Sequence, residues 1–261
     1  MTANPAISRE ELFKRDGFVK IESLTTAEDI ARIRSLLDPL FDKFESFGHR
    51  AVDLAGPQEK GARPRSPEIN EAIQFAPELR KTQVFARCRE FARRVLGAPV
   101  GYVFDHAIYK PPHNNASTAW HQDEGYNTAP ISLRAVHFWI PLQAVNVENG
   151  CMQFVPESHR GGLLPYHVAH ARSGGAMAHT KGATIATDNV DASRAVACPL
   201  AVGGVTAHHP LTLHYTGPNL SDAYRRAWIL HFGAYGRFRF RLHPKCVGQR
   251  LRAFVTASNN E

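Results

Sequence analysis

The amino-acid sequence predicts a mainly β protein, a sandwich or jelly roll, with helices on its N-terminal side. Three observations carry that expectation. From Val100 onward, short runs rich in Val, Ile, Phe, Tyr and Trp alternate with turn signals. Before residue 99, two stretches repeat apolar residues every three or four positions. No apolar run reaches the length of a bilayer-spanning helix.

The elements follow in order. Ser8-x-x-Glu11 has the form of a capping box, and Gly17-Phe18-Val19-Lys20-Ile21 reads as a short extended piece. Thr25 or Thr26 then caps a helix whose buried stripe is Ile30, Ile33, Leu36, Leu37, Leu40 and Phe41, with Pro39 placed to bend or end it. Residues 46–67 are polar and carry repeated Gly and Pro, as in a long loop. A second helix is expected over 77–96, with Leu79, Val84, Phe85, Cys88, Phe91 and Val95 as its apolar side. Strands are expected at 100–109, 134–142, 151–155, 204–209, 227–234 and 237–242, and residues 161–195 read as a long insertion. The chain is expected to form one domain over 1–261, with a helical part at 1–99 and a β core at 100–245.

Of the 261 residues 43% are hydrophobic and 21% charged, as in a globular protein, and the formal net charge is +7. The basic residues are dispersed. The densest group, Arg237-Phe238-Arg239-Phe240-Arg241, puts three arginines on one face of a strand, which fits a half-buried strand better than a surface for an anionic partner. No nucleic acid and no membrane are therefore expected as partners. Cys88, Cys151, Cys198 and Cys246 are scattered without metal-like spacing, and Met1–Glu11 lacks a signal-peptide pattern, so reduced thiols in the cytoplasm are expected.

The chemistry begins at His121-Gln122-Asp123. Residues two apart on extended backbone project to one side, so an imidazole and a carboxylate can reach one ion together. Two His and one carboxylate on one octahedral face suit Fe(II) and leave three positions open. Alone the motif is weak: with fourteen His in the chain, chance supplies about half an HxD. A third ligand would come from His208, His209 or His214, among which pattern does not choose. Arg225 and Arg226 follow beyond Gly217-Pro218-Asn219. An Arg meets a carboxylate bidentately and stays charged when buried, but neighbours on a strand face opposite ways, so one of the two can enter a pocket.

Five stretches in order add specificity. They are Trp120-His121-Gln122-Asp123, Phe138-Trp139-Ile140-Pro141-Leu142, Glu148-Asn149-Gly150-Cys151-Met152, Pro156-Glu157-Ser158-His159, and His209-Pro210 leading to His214-x-Thr216-Gly217-Pro218-Asn219. Together with Arg225, eleven residues past His214, they resemble the phytanoyl-CoA dioxygenase family of Fe(II)/2-oxoglutarate-dependent oxygenases over roughly residues 100–235, and Phe13–Val19 resembles the family's start.

The resemblance implies a double-stranded β-helix, a cupin-like jelly roll with N-terminal helices packed on one sheet. It makes His121, Asp123 and His214 the iron ligands, and Arg225, with Thr216, the anchor for 2-oxoglutarate. Trp139 matches a position lining that pocket, although an ordinary core tryptophan fits nearly as well. His208, His209, His106, His137 and His159 are then structural or exposed. The implied reaction uses Fe(II), 2-oxoglutarate and O₂ to hydroxylate a C–H bond of a small molecule, releasing succinate and CO₂. Lys110 and Tyr126 are candidate substrate contacts, with a solvated Lys beside Pro111-Pro112 the commoner alternative, and the segments 46–67 and 161–195 are candidate lids. Three rival readings stand beside this one: a catalytically silent jelly-roll binding protein, a nucleic-acid-directed dioxygenase and a zinc hydrolase.

Overall fold

The computed structural model describes residues 7–56, 63–127, 131–170 and 184–240. Three helices are formed: α1 (Arg9–Asp16), α2 (Ala27–Phe41) and α3 (Gln83–Leu96). The strands are β1 (Phe18–Ile21), β2 (Ala51–Asp53), β3 (Pro67–Asn70), β4 (Val100–Lys110), β5 (Thr118–His121), β6 (Ile131–Pro141), β7 (Met152–Phe154), β8 (Tyr166–His170), β9 (Thr184–Thr187), β10 (Val196–Ala197), β11 (Val205–His208), β12 (His214–Thr216) and β13 (Arg225–Phe240).

Local chemistry accounts for the helix ends. At α1 the Ser8 hydroxyl accepts from the Glu11 N–H, and the Glu11 carboxylate accepts from the Ser8 N–H, closing the expected box. Gly17, at φ +83, ends the helix in the left-handed region. Thr26 is the cap of α2, and the helix runs past Pro39 to Phe41. The start of α3 is capped from a distance. Asp29, on α2, accepts from the Gln83 and Val84 N–H groups at 3.0 and 2.9 Å, and from the Thr25 hydroxyl at 2.7 Å. The expected 77–96 helix is split by Thr82 into a 3₁₀ turn and α3.

Seven strands form a major antiparallel sheet in the order β1-β11-β6-β13-β4-β3-β2. A minor sheet, β10-β7-β12-β5, lies against one face, and β8 pairs with β9 beside it. Period-two alternation sorts the major sheet's side chains. One set (Phe138, Ile140, Trp228, Leu230, Phe232) packs on the helices through Phe13, Ile33, Leu37, Phe85 and Phe91. The other set (Phe18, Trp139, Ala227, Ile229) meets Met152 and Phe154 of the minor sheet. Each large side chain fully buried here contributes roughly 1.5–3 kcal/mol, so the helical layer, which covers the larger cluster, is a principal support of the major sheet.

Two expectations need correction. The 46–67 stretch is not all loop, since β2 and β3 extend the major sheet there. The expected strands 227–234 and 237–242 belong, as far as they are described, to one strand, β13, which pairs with both β4 and β6. Cys246, Arg241 and residues 171–183 of the expected insertion lie outside the described residues.

Candidate active site

β5 and β12 are antiparallel neighbours with His121 opposite His214, so strand register alone sets the two imidazoles side by side, ring centroids 4.1 Å apart. Gln122 stays extended (φ −119, ψ 127), keeping Asp123 on the same side before the 3₁₀ turn Asp123–Tyr126. Both Nε2 atoms lie 3.4 Å from Asp123 Oδ1. Each Nδ1 faces a backbone carbonyl, Ala119 at 2.7 Å for His121 and Thr212 at 2.9 Å for His214. A carbonyl only accepts, so each Nδ1 carries the proton and each Nε2 offers a lone pair toward the carboxylate. This donor set fits a divalent first-row metal.

The electrostatics agree. Burial pushes His121 down, with His214 adding to the effect; burial would also lower His214, but the charge and contact of Asp123 together with the Thr212 carbonyl hold it up. Burial would raise Asp123, but the nearby His214 and His121 and the hydrogen bonds from His137 and His208 hold it well below the usual carboxylate range. Two imidazole nitrogens converging on an ionised carboxylate make the place a divalent cation takes.

Sequence reasoning missed the other oxygen of Asp123. Its Oδ2 accepts from His137 Nδ1 at 2.6 Å and from His208 Nε2 at 3.0 Å. His208, His137 and His231 stand directly opposite one another across β11, β6 and β13, and His231 stacks on His137 at 3.6 Å. Burial drives His208 down to about 3 and His231 well below its ordinary value, so both are neutral. Next along, His106 on β4 is hydrogen-bonded through Nδ1 to Glu68 on β3. The only signal in the sequence was four histidines at alternate-face positions of separate strands, and it becomes readable once the register is known.

A second feature lies farther along the same face. Register places Arg225 of β13 opposite Lys110 of β4, and both side chains are essentially fully buried. Lys110 thus lacks the solvated head of its commoner reading. Its Nζ donates to Thr216 Oγ1 at 3.1 Å and to the Gly217 carbonyl at 2.8 Å. The Arg225 guanidinium lies 5.6 Å from the Trp139 ring, and its Nε and Nη1 are buried without a hydrogen-bond partner. Burial lowers Arg225 to about 10, and burial with the Arg225 charge holds Lys110 well below its usual range. Two adjacent buried cations without a carboxylate are costly, and a bound dianion relieves that cost. Arg226 points to the other face, where its Nε is 3.2 Å from Asp38.

Tyr126 turns its ring edge to His121, centroids 5.8 Å apart, and its Oη accepts from the Ile185 N–H of β9 at 3.3 Å. A surface cleft of about 1360 Å³ bordered by Phe41, Tyr109 and Arg226 opens elsewhere and shares no lining residue with the triad.

A jelly roll presenting two imidazoles and a carboxylate to one point from its minor sheet, with an orphaned buried guanidinium on the major sheet, is the architecture of non-haem iron oxygenases. The family model for phytanoyl-CoA dioxygenase (PhyH) matches residues 13–227, and the chain belongs to that family. It is 24% identical to a phytanoyl-CoA dioxygenase domain-containing protein 1 from Bos taurus, over 86% of this chain and 88% of that protein. It is 23% identical to the peroxisomal phytanoyl-CoA dioxygenase of Rattus norvegicus, over 88% of this chain and 68% of that one. Among solved structures, EvdO2 from Micromonospora carbonacea var. aurantiaca, complexed with 2-oxoglutarate, aligns with a TM-score of 0.72 and 33% identity over 90% of this chain and 92% of that one.

Proposed function

We propose that the chain is an Fe(II)- and 2-oxoglutarate-dependent dioxygenase that hydroxylates a C–H bond of a small molecule, with His121, Asp123 and His214 as iron ligands. The observation that carries this reading is the pairing of the triad with the buried, unpartnered Arg225 beside Lys110. Family membership and the 2-oxoglutarate complex of EvdO2 point the same way.

When bound, the iron and the oxo acid would supply the oxidising chemistry, in which R–H, O₂ and 2-oxoglutarate give R–OH, succinate and CO₂. The chain's own residues do the rest. Ala119 and Thr212 fix the imidazole tautomers so that both Nε2 lone pairs face the metal point. His137 and His208 hold Asp123 Oδ2, leaving Oδ1 as the metal-facing atom. Arg225 receives the distal carboxylate of the cosubstrate as a planar fork, with Lys110 and Thr216 alongside and Trp139 walling the pocket. On this reading Lys110 serves the cosubstrate, a role that differs from the substrate contact expected of it. Tyr126 remains a candidate substrate contact at the mouth of the site.

Among the described residues no helix is long and apolar enough to cross a membrane, and the three described cysteines are free. A cytoplasmic location is part of the proposal on the strength of those reduced thiols.

Anaerobic addition of Fe(II) and 2-oxoglutarate should produce a weak visible metal-to-ligand charge-transfer band. His214→Ala should abolish it; a band persisting in that variant would remove His214 from the ligand set. Arg225→Ala should raise the KM for 2-oxoglutarate roughly 30- to 100-fold, corresponding to loss of about 2–3 kcal/mol from one charged hydrogen-bonded contact.

A further inference from the structure

The interior face of the major sheet carries a second acid–imidazole pair that the proposed chemistry does not use. Glu68 of β3 and His106 of β4 are joined through His106 Nδ1, and Glu68 is only 7% exposed. Asn70 Nδ2 holds the other Glu68 oxygen at 3.5 Å. The His106 side chain keeps 18% of its surface accessible, and among the described residues its Nε2 has no hydrogen-bond partner. Phe104 and His231 flank it, with ring centroids 5.5 and 5.6 Å away. Contacts along the sheet link this pair to the triad: His106 packs against His231, His231 stacks on His137, and His137 donates to Asp123.

We propose that Glu68 and His106 form a substrate-anchoring dyad that selects neutral, hydroxyl-bearing ring compounds. Glu68 accepts the hydrogen bond from His106 Nδ1–H and leaves Nε2 as a strengthened acceptor for a substrate O–H. Phe104 and His231 supply flat walls for a ring, and the Glu68 carboxylate disfavours an anionic group at that point. The proposal rests on the oxygenase reading above.

Acceptance by Nε2 requires a neutral ring. The groups facing His106 are Glu68 from β3, His231 from β13, Asp123 and its own-strand neighbour Asp105. Burial would lower His106, but Glu68 outweighs it and holds the ring above its ordinary value. Hydroxyl selection should therefore be full at about pH 8.5 and fade as pH falls through the His106 titration. In Glu68→Gln any residual selection should fade at a lower pH, because the charge that raises His106 is gone.

The test uses the intact protein loaded anaerobically with Fe(II) and 2-oxoglutarate, reading the probe-induced shift of the charge-transfer band. The probes are phenol, cyclohexanol and methyl α-D-glucopyranoside, each compared with its O-methyl ether. At about pH 8.5 at least one alcohol should bind tenfold or more tightly than its ether. In His106→Phe and Glu68→Gln that preference should collapse below twofold while the band of the loaded enzyme remains. Equal responses to all three pairs, absence of any response included, would overturn the dyad, as would a preference that survives both variants. A wild-type protein with no band at all sinks the oxygenase reading instead, so the two failures are distinguishable.

Discussion

At the scale of single residues, burial governs reactivity. Cys88, Cys151 and Cys198 are free but buried, and burial pushes Cys198 up to about 12 and the other two above their ordinary values. Only the thiolate reacts, so iodoacetamide at about pH 8 should leave all three unmodified in the native protein, as peptide mass mapping would reveal. Rapid labelling of Cys198 without prior unfolding would contradict the burial seen here. The same logic separates the two arginines that follow the distal histidine. Arg225 faces inward without a partner, whereas Arg226 lies near Asp38 on the helical side. Strand alternation told the sequence reader that only one could enter, and family resemblance said which. The sequence did not reveal that Lys110 would stand beside Arg225, because that neighbourhood exists only in the β4–β13 register.

At the scale of elements, the helical layer depends on a contact no local pattern announces. Thr82 occupies the cap position of α3 yet makes no side-chain cap bond, and Asp29 of α2 satisfies the first N–H groups in its place. Asp29→Ala should lower stability by about 2 kcal/mol, a lost cap with a buried setting, seen as a reduced denaturant midpoint at unchanged slope. A midpoint equal to wild type would show that the first turn of α3 finds water instead. The α1 box and the α2 stripe were legible because their signals lie within one or two turns of chain. β2 and β3 were not. Each is three or four residues long, set among Gly and Pro, and held by strands far away in sequence.

At the scale of the whole molecule, the basic residues behind the +7 charge are dispersed along the sequence, and two cations, Lys110 and Arg225, are buried. Binding to duplex DNA, measured by fluorescence anisotropy at 50 and 200 mM salt, should therefore be weak and unspecific, and a tight salt-steep complex would reopen the nucleic-acid reading. The layered fold was readable from short apolar runs at turn spacing, because strands buried on both faces are apolar almost throughout. The triad was readable from ordered motifs. The histidine row was not, since its members come one from each strand and gain meaning only laterally.

β13 bears one consequence for how such a molecule can change over time. A single ribbon offers Arg225, Ile229 and His231 to the interior and Trp228, Leu230 and Phe232 to the helices. Adding or deleting one residue between 225 and 228 would reverse every face beyond it relative to Arg225, turning Ile229 and His231 toward the helices and the Trp228 indole toward the interior. Change in such a molecule is therefore cheapest as replacement of side chains along fixed strands or as altered connecting segments, and costly as a change in the length of this ribbon.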